Sequence, residues 1–231
     1  FGYDVSGNRT SVVSARGAKS EYGYDLLNRL TSSLDPVGLL TQYTYDHLGN
    51  PVSVTQNGGR TTSYRYDSVY NLTGITDALG QGTSLAYDKE NRLTAVTDPL
   101  GNTARYAYSA NGNLVKQTDR LGNSTGYTYD ANGNMTSVTD RESRTVSYTY
   151  DLLNRLETVT EAGGITTLYT YDSVGNLTSK TDGNGNTTSY TYNLNNQLTS
   201  VETPMGYTEK LQYNLDGMLE TYSNPDGRQV Q

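Results

Sequence analysis

The residue types that most often carry catalysis are scarce in this 231-residue chain. There is no cysteine, the single histidine, His47, lies at a variable turn position, and the serines are scattered over strand positions, so the sequence offers no nucleophile with a base and a residue to orient it. Aspartates are numerous and could pair as they do in glycosidases, but they recur at regular turn positions, which already account for them. The sequence therefore predicts no catalytic residue and no enzyme activity, with His47 as an exposed loop residue.

One short segment resembles a metal site. The run DGNGN at residues 182–186 begins like a calcium-binding loop, but its twelfth place holds Asn193 where a bidentate glutamate is required. Turn chemistry explains the glycines and asparagines of this run equally well. We therefore predict no metal and no cofactor.

A tyrosine that returns every 21 residues, without insertion or deletion, organises the whole chain. Position zero of each repeat is this tyrosine, and the other positions are counted from it. The first copy is Tyr3, and the ten that we predict to form a structural ladder are Tyr24, Tyr45, Tyr66, Tyr87, Tyr108, Tyr129, Tyr150, Tyr171, Tyr192 and Tyr213. We predict one array of eleven repeats over residues 1–231, cut from a longer array.

Each repeat carries two turn signals. Aspartate dominates positions +1 and +11, and glycine or asparagine follows three places later, where a positive φ is tolerated. This spacing predicts a type I turn closed by a left-handed residue, as in a short hairpin loop with a bulge. The predicted structural glycines at +14 are Gly38, Gly59, Gly80, Gly101, Gly122, Gly164, Gly185 and Gly206.

The segments between the turns are rich in Thr, Ser, Val, Leu and Tyr, which indicates strands. The fold prediction is all-β: eleven 21-residue β-hairpin units forming a curled antiparallel sheet, as a spiral or open hollow shell. A parallel β-helix with one coil per repeat is the alternative. Leu at +6 and Val at +9 have opposite parity, so either a bulge lies between them or both faces are partly covered.

The charge and composition of the chain exclude some classes of binding partner and favour others. The net charge is −7, with no basic cluster, which argues against nucleic acid, and no apolar run is long enough for membrane insertion. Open strand edges predict self-association. Rows of tyrosine beside Asp and Asn resemble sugar-binding surfaces, so an extracellular carbohydrate-binding or adhesive module is the alternative to a structural scaffold.

The segment YDANGNMTSVTD at residues 129–140 resembles the YD repeat, or Rhs repeat, and all eleven repeats carry versions of it. This family includes bacterial Rhs and wall-associated polymorphic toxins, the C component of insecticidal toxin complexes, and teneurins. The resemblance implies a β-hairpin spiral that in toxin members encloses a C-terminal toxic domain. It also implies a secreted or cell-surface bacterial protein whose partner is a toxin domain or other polypeptide of the parent protein.

A second likeness to the family is local. The run DPVGL at residues 35–39 matches a signature at the end of toxin-type shells, where the family cleaves itself. Here it occupies the ordinary second-turn register, and further repeats follow it. We therefore expect an ordinary turn at this place.

Overall fold

The computed structural model describes residues 1–230, with side-chain burial described to residue 228, and Gln231 lies outside the described residues. Every regular element in this range is a β-strand, so the described part contains no helix that could cross a membrane. The chain divides into two bodies. The first holds residues 1–107 and 117–123, and the second holds 108–116 and the chain from 124 onward.

The strands of the first body follow one another as antiparallel neighbours. They are β1 (Gly2–Tyr3), β2 (Arg9–Val13), β3 (Lys19–Tyr24), β4 (Leu30–Leu34), β5 (Leu40–Tyr45), β6 (Pro51–Gln56), β7 (Arg60–Tyr66), β8 (Leu72–Thr76), β9 (Gly82–Tyr87), β10 (Leu93–Thr97) and β11 (Thr103–Tyr108). The last residue of β11, Tyr108, belongs to the second body, and strand β12 (Leu114–Thr118) includes residues of both bodies.

The second body continues the same pattern. Its strands are β13 (Ser124–Tyr129), β14 (Met135–Thr139), β15 (Thr145–Tyr150), β16 (Leu156–Thr160), β17 (Thr166–Tyr171), β18 (Leu177–Thr181), β19 (Thr187–Tyr192), β20 (Leu198–Glu202), β21 (Thr208–Tyr213), β22 (Leu219–Ser223) and β23 (Gln229–Val230). The all-β class and the antiparallel hairpin array are confirmed, and these pairings exclude the parallel β-helix.

A β-bulge explains how the residues at +6 and +9, which have opposite parity in the sequence, lie on the same face. In the β15–β16 hairpin, Tyr150 lies opposite Leu156 and Tyr148 lies opposite Val159, with a register shift between them. The shift leaves Glu157 as an extra residue, so Leu156 and Val159 come to the same face as the two tyrosines. The same shift recurs at this place in the other repeats of both bodies.

The two faces of each sheet therefore differ. One face, here called the tyrosine face, carries the tyrosines at −2 and 0 with the residues at +6 and +9. The other carries Thr and Ser hydroxyls, which hydrogen-bond across strands at 2.6 to 2.8 Å in the pairs Thr44–Ser53, Thr139–Thr145 and Thr170–Ser179. Cross-strand pairs of both kinds stabilise an antiparallel sheet.

No hydrophobic core forms in either body. Within residues 1–228 no hydrophobic side chain is buried, and the strand contacts within each body join sequence neighbours only. The accessible surface is 15255 Å², whereas a compact chain of this mass would expose about 10,000 Å². Stability therefore comes from contacts between successive strands and not from a packed interior.

Candidate functional site

The aspartate of each turn organises the loop through its carboxylate. Asp172 accepts hydrogen bonds at Oδ1 from the backbone N–H groups of Val174 and Asn176, and at Oδ2 from the Asn176 side chain, at 2.8 to 3.0 Å. The backbone N–H of Gly175 donates to the Asp172 carbonyl. Both oxygens of Asp172 thus hold the turn.

The second turn of the repeat is built in the same way. Asp182 accepts from the N–H groups of Asn184 and Asn186 and from the Asn186 side chain, all at 2.9 Å. The segment that begins like a calcium loop is therefore an ordinary hairpin turn. No group of three or more potential metal ligands occurs within the described residues.

These hydrogen bonds lower the pKa of the first-turn aspartates. The amide of the +5 asparagine is the largest cause for Asp4, Asp46 and Asp130. The backbone N–H of the +5 arginine is the largest cause for Asp25, Asp88 and Asp151. Burial is the largest single influence on Asp67 and Asp172 and acts to raise the pKa, but the hydrogen bonds together outweigh it. All eight side chains are consequently ionised at neutral pH.

The predicted turn glycines have the backbone that their position requires. Gly38, Gly59, Gly80, Gly101, Gly122, Gly164, Gly185 and Gly206 have φ between 77° and 87°. At Gly101 no atom lies within 4 Å of the place that a Cβ would take. A side chain there would consequently meet backbone strain and no steric contact.

The ladder tyrosines join neighbouring repeats through their hydroxyl groups. In seven of them the hydroxyl donates to the backbone carbonyl at +6 of the preceding repeat, at 2.7 to 3.2 Å. The pairs are Tyr24–Arg9, Tyr45–Leu30, Tyr66–Pro51, Tyr87–Leu72, Tyr150–Met135, Tyr171–Leu156 and Tyr213–Leu198. Burial raises the pKa of Tyr66, Tyr150, Tyr171 and Tyr192, so these rings are partly withdrawn from water.

The first turns are also tied to one another, and the row they form is here called the first-turn edge. Arg155 donates from Nε to Asp151 at 2.6 Å and from Nη1 to the Asp172 carbonyl of the next repeat at 2.8 Å, with its guanidinium carbon 4.7 Å from the centroid of the Tyr171 ring. Arg29 makes the same contacts to Asp25, Asp46 and Tyr45. The arginine at +5 is therefore a bridge between repeats.

Asparagine makes a shorter bridge where it replaces this arginine. The side chain at +5 donates to the asparagine at +4 of the next repeat, at 2.7 to 3.1 Å, in the pairs Asn8–Asn28, Asn71–Asn91, Asn134–Asn154 and Asn176–Asn196. These contacts were not predicted from the sequence. The recurrence of Asn or Arg at +5 after Gly or Asn at +4 is the signal that could have revealed them.

One repeat departs from the rest of the first-turn edge. Tyr70 stands at +4 with φ of 70°, where every other repeat carries glycine or asparagine. A recess of about 390 Å³ opens beside it. Its lining consists of Asp46, His47, Leu48, Val52, Tyr64, Tyr66, Asp67, Ser68 and Tyr70. The exposed His47 thus lies at the rim of a surface feature, although no hydrogen bond or ion pair gives it a catalytic setting.

Two other recesses in the first body, of about 390 and 510 Å³, are lined by residues at equivalent positions of their repeats. They lie beside the second turns, with the −2 tyrosines Tyr106 and Tyr64 in their walls. Because they repeat with the array, they follow from its geometry. The Asp35 turn, which contains the DPVGL run, has the same hydrogen bonds as the other second turns.

A core-free antiparallel array with a fixed 21-residue hairpin unit defines an all-β repeat protein. The family profile described as Teneurin YD-shell matches residues 34–167, which is more than half of the chain, and the RHS Repeat profile matches residues 3–39 and 171–203. The chain belongs to the teneurin YD-shell family. No curated protein sequence matches it.

Solved structures of toxin complexes have a similar fold. The crystal structure of TcdB2-TccC3 has a TM-score of 0.54 at 17% identity, covering 98% of this chain and 16% of that one. The Photorhabdus luminescens Tc holotoxin pore gives 0.51 at 18% identity, covering 98% and 16%. TcdB2-TccC3 without its hypervariable C-terminal region gives 0.52 at 15%, covering 99% and 17%. The chain spans about a sixth of the length of these structures.

Proposed function

We propose that the chain is a non-enzymatic segment of a YD/RHS-repeat shell, and that the shell encloses a C-terminal toxin domain or another polypeptide of the parent protein. The observation that best supports this function is the sheet itself. Each body is built from strands that contact only their sequence neighbours, without a buried core. An extended sheet of this kind is suited to enclosing another polypeptide, because it has no packed interior of its own.

The tyrosine face supplies the second support. It carries aromatic and aliphatic side chains from every repeat, and no second layer packs on it within either body. Apolar surface removed from water stabilises by about 25 cal/mol per Å², so a polypeptide held against this face would gain from contact with it. We propose that the tyrosine ladder and the turn glycines are the structural elements that keep this surface continuous.

The absence of enzyme activity is part of the proposal. The first-turn carboxylates are engaged in their turns. Likeness to toxin-complex and teneurin shells supports a secreted or cell-surface bacterial location. Fractionation of the producing cells tests that location, which would be wrong if the parent protein stayed entirely in the cytoplasm.

Protease protection tests enclosure directly. The full parent protein is treated with protease, and its C-terminal segment is followed beside the same segment expressed alone. We expect the segment to resist cleavage within the parent and to become cleavable when urea unfolds the array. Equal cleavage rates for the free segment and the segment in the native parent would contradict enclosure.

A carbohydrate-binding or adhesive module is the second candidate, favoured by the recess that places Tyr64, Tyr66 and Tyr70 beside two carboxylates. A glycan-array screen of the purified chain tests it. Reproducible binding that is lost on Tyr→Ala at one repeat would support this candidate, whereas no binding would leave the shell function. Pairing through strand edges remains a further proposal, and light scattering over a dilution series would contradict it by showing a monomer at every concentration.

A further inference from the structure

The chain fills places on its first-turn edge with its own guanidinium groups, as Arg29 and Arg155 show. Arg29 lies over the Tyr45 ring at 4.7 Å and donates to the Asp46 carbonyl at 3.0 Å. Arg155 lies over the Tyr171 ring at the same distance. A tyrosine ring, a backbone carbonyl and a carboxylate at this register therefore make up a guanidinium site, since each of these groups favours a planar cation with several donors.

The next repeat after Arg29 has the same receiving groups without the arginine. Position +5 is Asn50, whose Nδ2 donates to Asp46 at 2.9 Å within its own turn. The Tyr66 ring and the turn of Asp67 consequently have no guanidinium from the chain, and the recess of about 390 Å³ opens there. Its lining holds two carboxylates and no lysine or arginine.

Tyr70 distinguishes this place from the other asparagine-bearing turns. At the equivalent glycine one repeat earlier, Gly49, a Cβ would lie 4.0 Å from the Arg29 Nη1 atom. The side chain of Tyr70 therefore starts beside the position that a guanidinium would take. Tyr70 is 55% exposed as a residue, and its ring adds a second aromatic wall, although a bulky residue at positive φ is strained.

We propose that the recess between Tyr66 and Tyr70 binds the guanidinium group of an arginine side chain from a partner polypeptide. The group stacks on Tyr66, donates to the Asp67 carbonyl and to the Asp46 carboxylate, and is flanked by Tyr70. The partner is a polypeptide because the matching groups at Arg29 and Arg155 hold the guanidinium of an arginine side chain. This site goes beyond a shell function, since it gives one repeat a ligand of its own.

Calorimetric titration of the chain with N-acetyl-arginine amide tests the site, with the citrulline analogue as a neutral ligand of the same shape. We expect one site with a dissociation constant of about 1 mM, as suits a single cation–π contact with a few hydrogen bonds. The citrulline analogue should bind at least tenfold more weakly. Equal binding of the two ligands would overturn the proposal, as would binding of free arginine without binding of the capped form.

Two variants locate the site. Asn50→Arg should fill the recess from within, as Arg29 does one repeat earlier, and weaken ligand binding at least tenfold without lowering the melting temperature. Asn71→Arg, the same change in the following repeat, is the matched control and should leave binding within twofold of the wild type. Unchanged binding in Asn50→Arg, or equal weakening in both variants, would overturn the assignment.

A third variant covers the case in which Asn50→Arg fails to fold. Tyr70→Gly removes the second aromatic wall and restores the residue found at +4 in other repeats. It should bind severalfold more weakly while melting at the same or a higher temperature, because backbone strain is released. Wild-type affinity in Tyr70→Gly would contradict the role of this residue in the site.

Discussion

The two turns of each repeat have the same local structure but different connections to the next repeat. On the first-turn edge, Arg155 and Asn176 reach across to Asp172 and Asn196. The second turns form the opposite row, the second-turn edge, where Arg144 makes its hydrogen bonds to Asp140 and Glu142 within its own turn. Identical hairpin loops can therefore differ in what they contribute to the array.

Cross-repeat contacts on the second-turn edge are less regular. The Asn57 side chain donates to the Gly38 carbonyl at 2.8 Å, and Arg120 lies 3.7 Å from Asp98, so these two contacts differ in their partners and in their register. In an array without a core, side chains at the edges can add to the contacts between strands by forming hydrogen bonds to the next repeat. The predictions that follow test this difference.

Acid should have the largest effect and act mainly on the first-turn edge. All eight first-turn aspartates have a lowered pKa. At the second turns the pKa is also lowered for Asp98, Asp140 and Asp182. A lowered folded-state pKa adds stability above the unfolded value, near pH 4, and this stability is lost as pH falls through the folded values. We expect a steady melting temperature from pH 7 to about 5 and a steep fall below about 4, measured by circular dichroism. A flat profile to pH 2 would contradict this.

Gly101→Val should destabilise the chain by about 1–2 kcal/mol, the cost of a branched residue in the left-handed region. The matching first-turn change, Gly175→Val, should cost a similar amount, because both positions have positive φ, at 87° and 102°. Urea unfolding of the two variants measures this. Wild-type stability of Gly101→Val would remove the turn assignment.

The arginines provide the sharpest contrast between the edges. Arg155→Ala removes a bond to the next repeat, an ion pair and a ring contact, with the Arg155 side chain 25% exposed, whereas Arg144 is 66% exposed. We expect a loss of about 1–1.5 kcal/mol for Arg155→Ala and a clearly smaller loss for Arg144→Ala, whose ion pairs are exposed to solvent. Equal losses in urea unfolding would abolish the distinction between the edges.

The two tyrosines of a repeat should also differ. Tyr171→Phe deletes the hydroxyl that donates to the Leu156 carbonyl at 2.9 Å, which should cost about 1 kcal/mol because a partly buried acceptor loses its donor. Tyr169→Phe, two residues earlier on the same face, serves as the control and should change stability by less than about 0.5 kcal/mol. Thermal unfolding of both variants decides whether the hydroxyls of the ladder tyrosines contribute.

His47→Ala should have the smallest effect. The side chain is exposed, and its substitution should change the free energy of unfolding by no more than about 0.5 kcal/mol. Chemical denaturation measures this. A loss above about 1 kcal/mol would show that the rim of the recess supports the first-turn edge.

Much of the fold follows from local residue chemistry and was predicted. Asp followed by Gly three residues later specifies the turns, and the tyrosines two apart specify the shared face, since both depend on neighbours in sequence. The bulge stayed undecided because Leu156 and Val159 reach the tyrosine face only through a register shift. The partners of Arg155 and Tyr171 were missed because they lie in another repeat, and their distances depend on how neighbouring hairpins twist.

The recess at Tyr70 shows the same limit. The sequence identifies Tyr70 as an exception at +4, but an exception does not say which groups surround it. Only the folded backbone places Tyr66, Asp46 and Asp67 around one opening, beside a turn that lacks the arginine of its neighbour. The regular repeat positions therefore predict the sheet. The groups that surround an irregular residue such as Tyr70 can be identified only in the three-dimensional structure.

The dependence of stability on repeat number tests the central claim most directly. Chains shortened by one, two and three whole 21-residue repeats would be unfolded in urea beside the full array. If contacts between successive strands hold the structure, each repeat removed should lower the free energy of unfolding by a similar step. Stability that is independent of repeat number, or complete unfolding on loss of the first repeat, would instead indicate a single cooperative core and contradict the account.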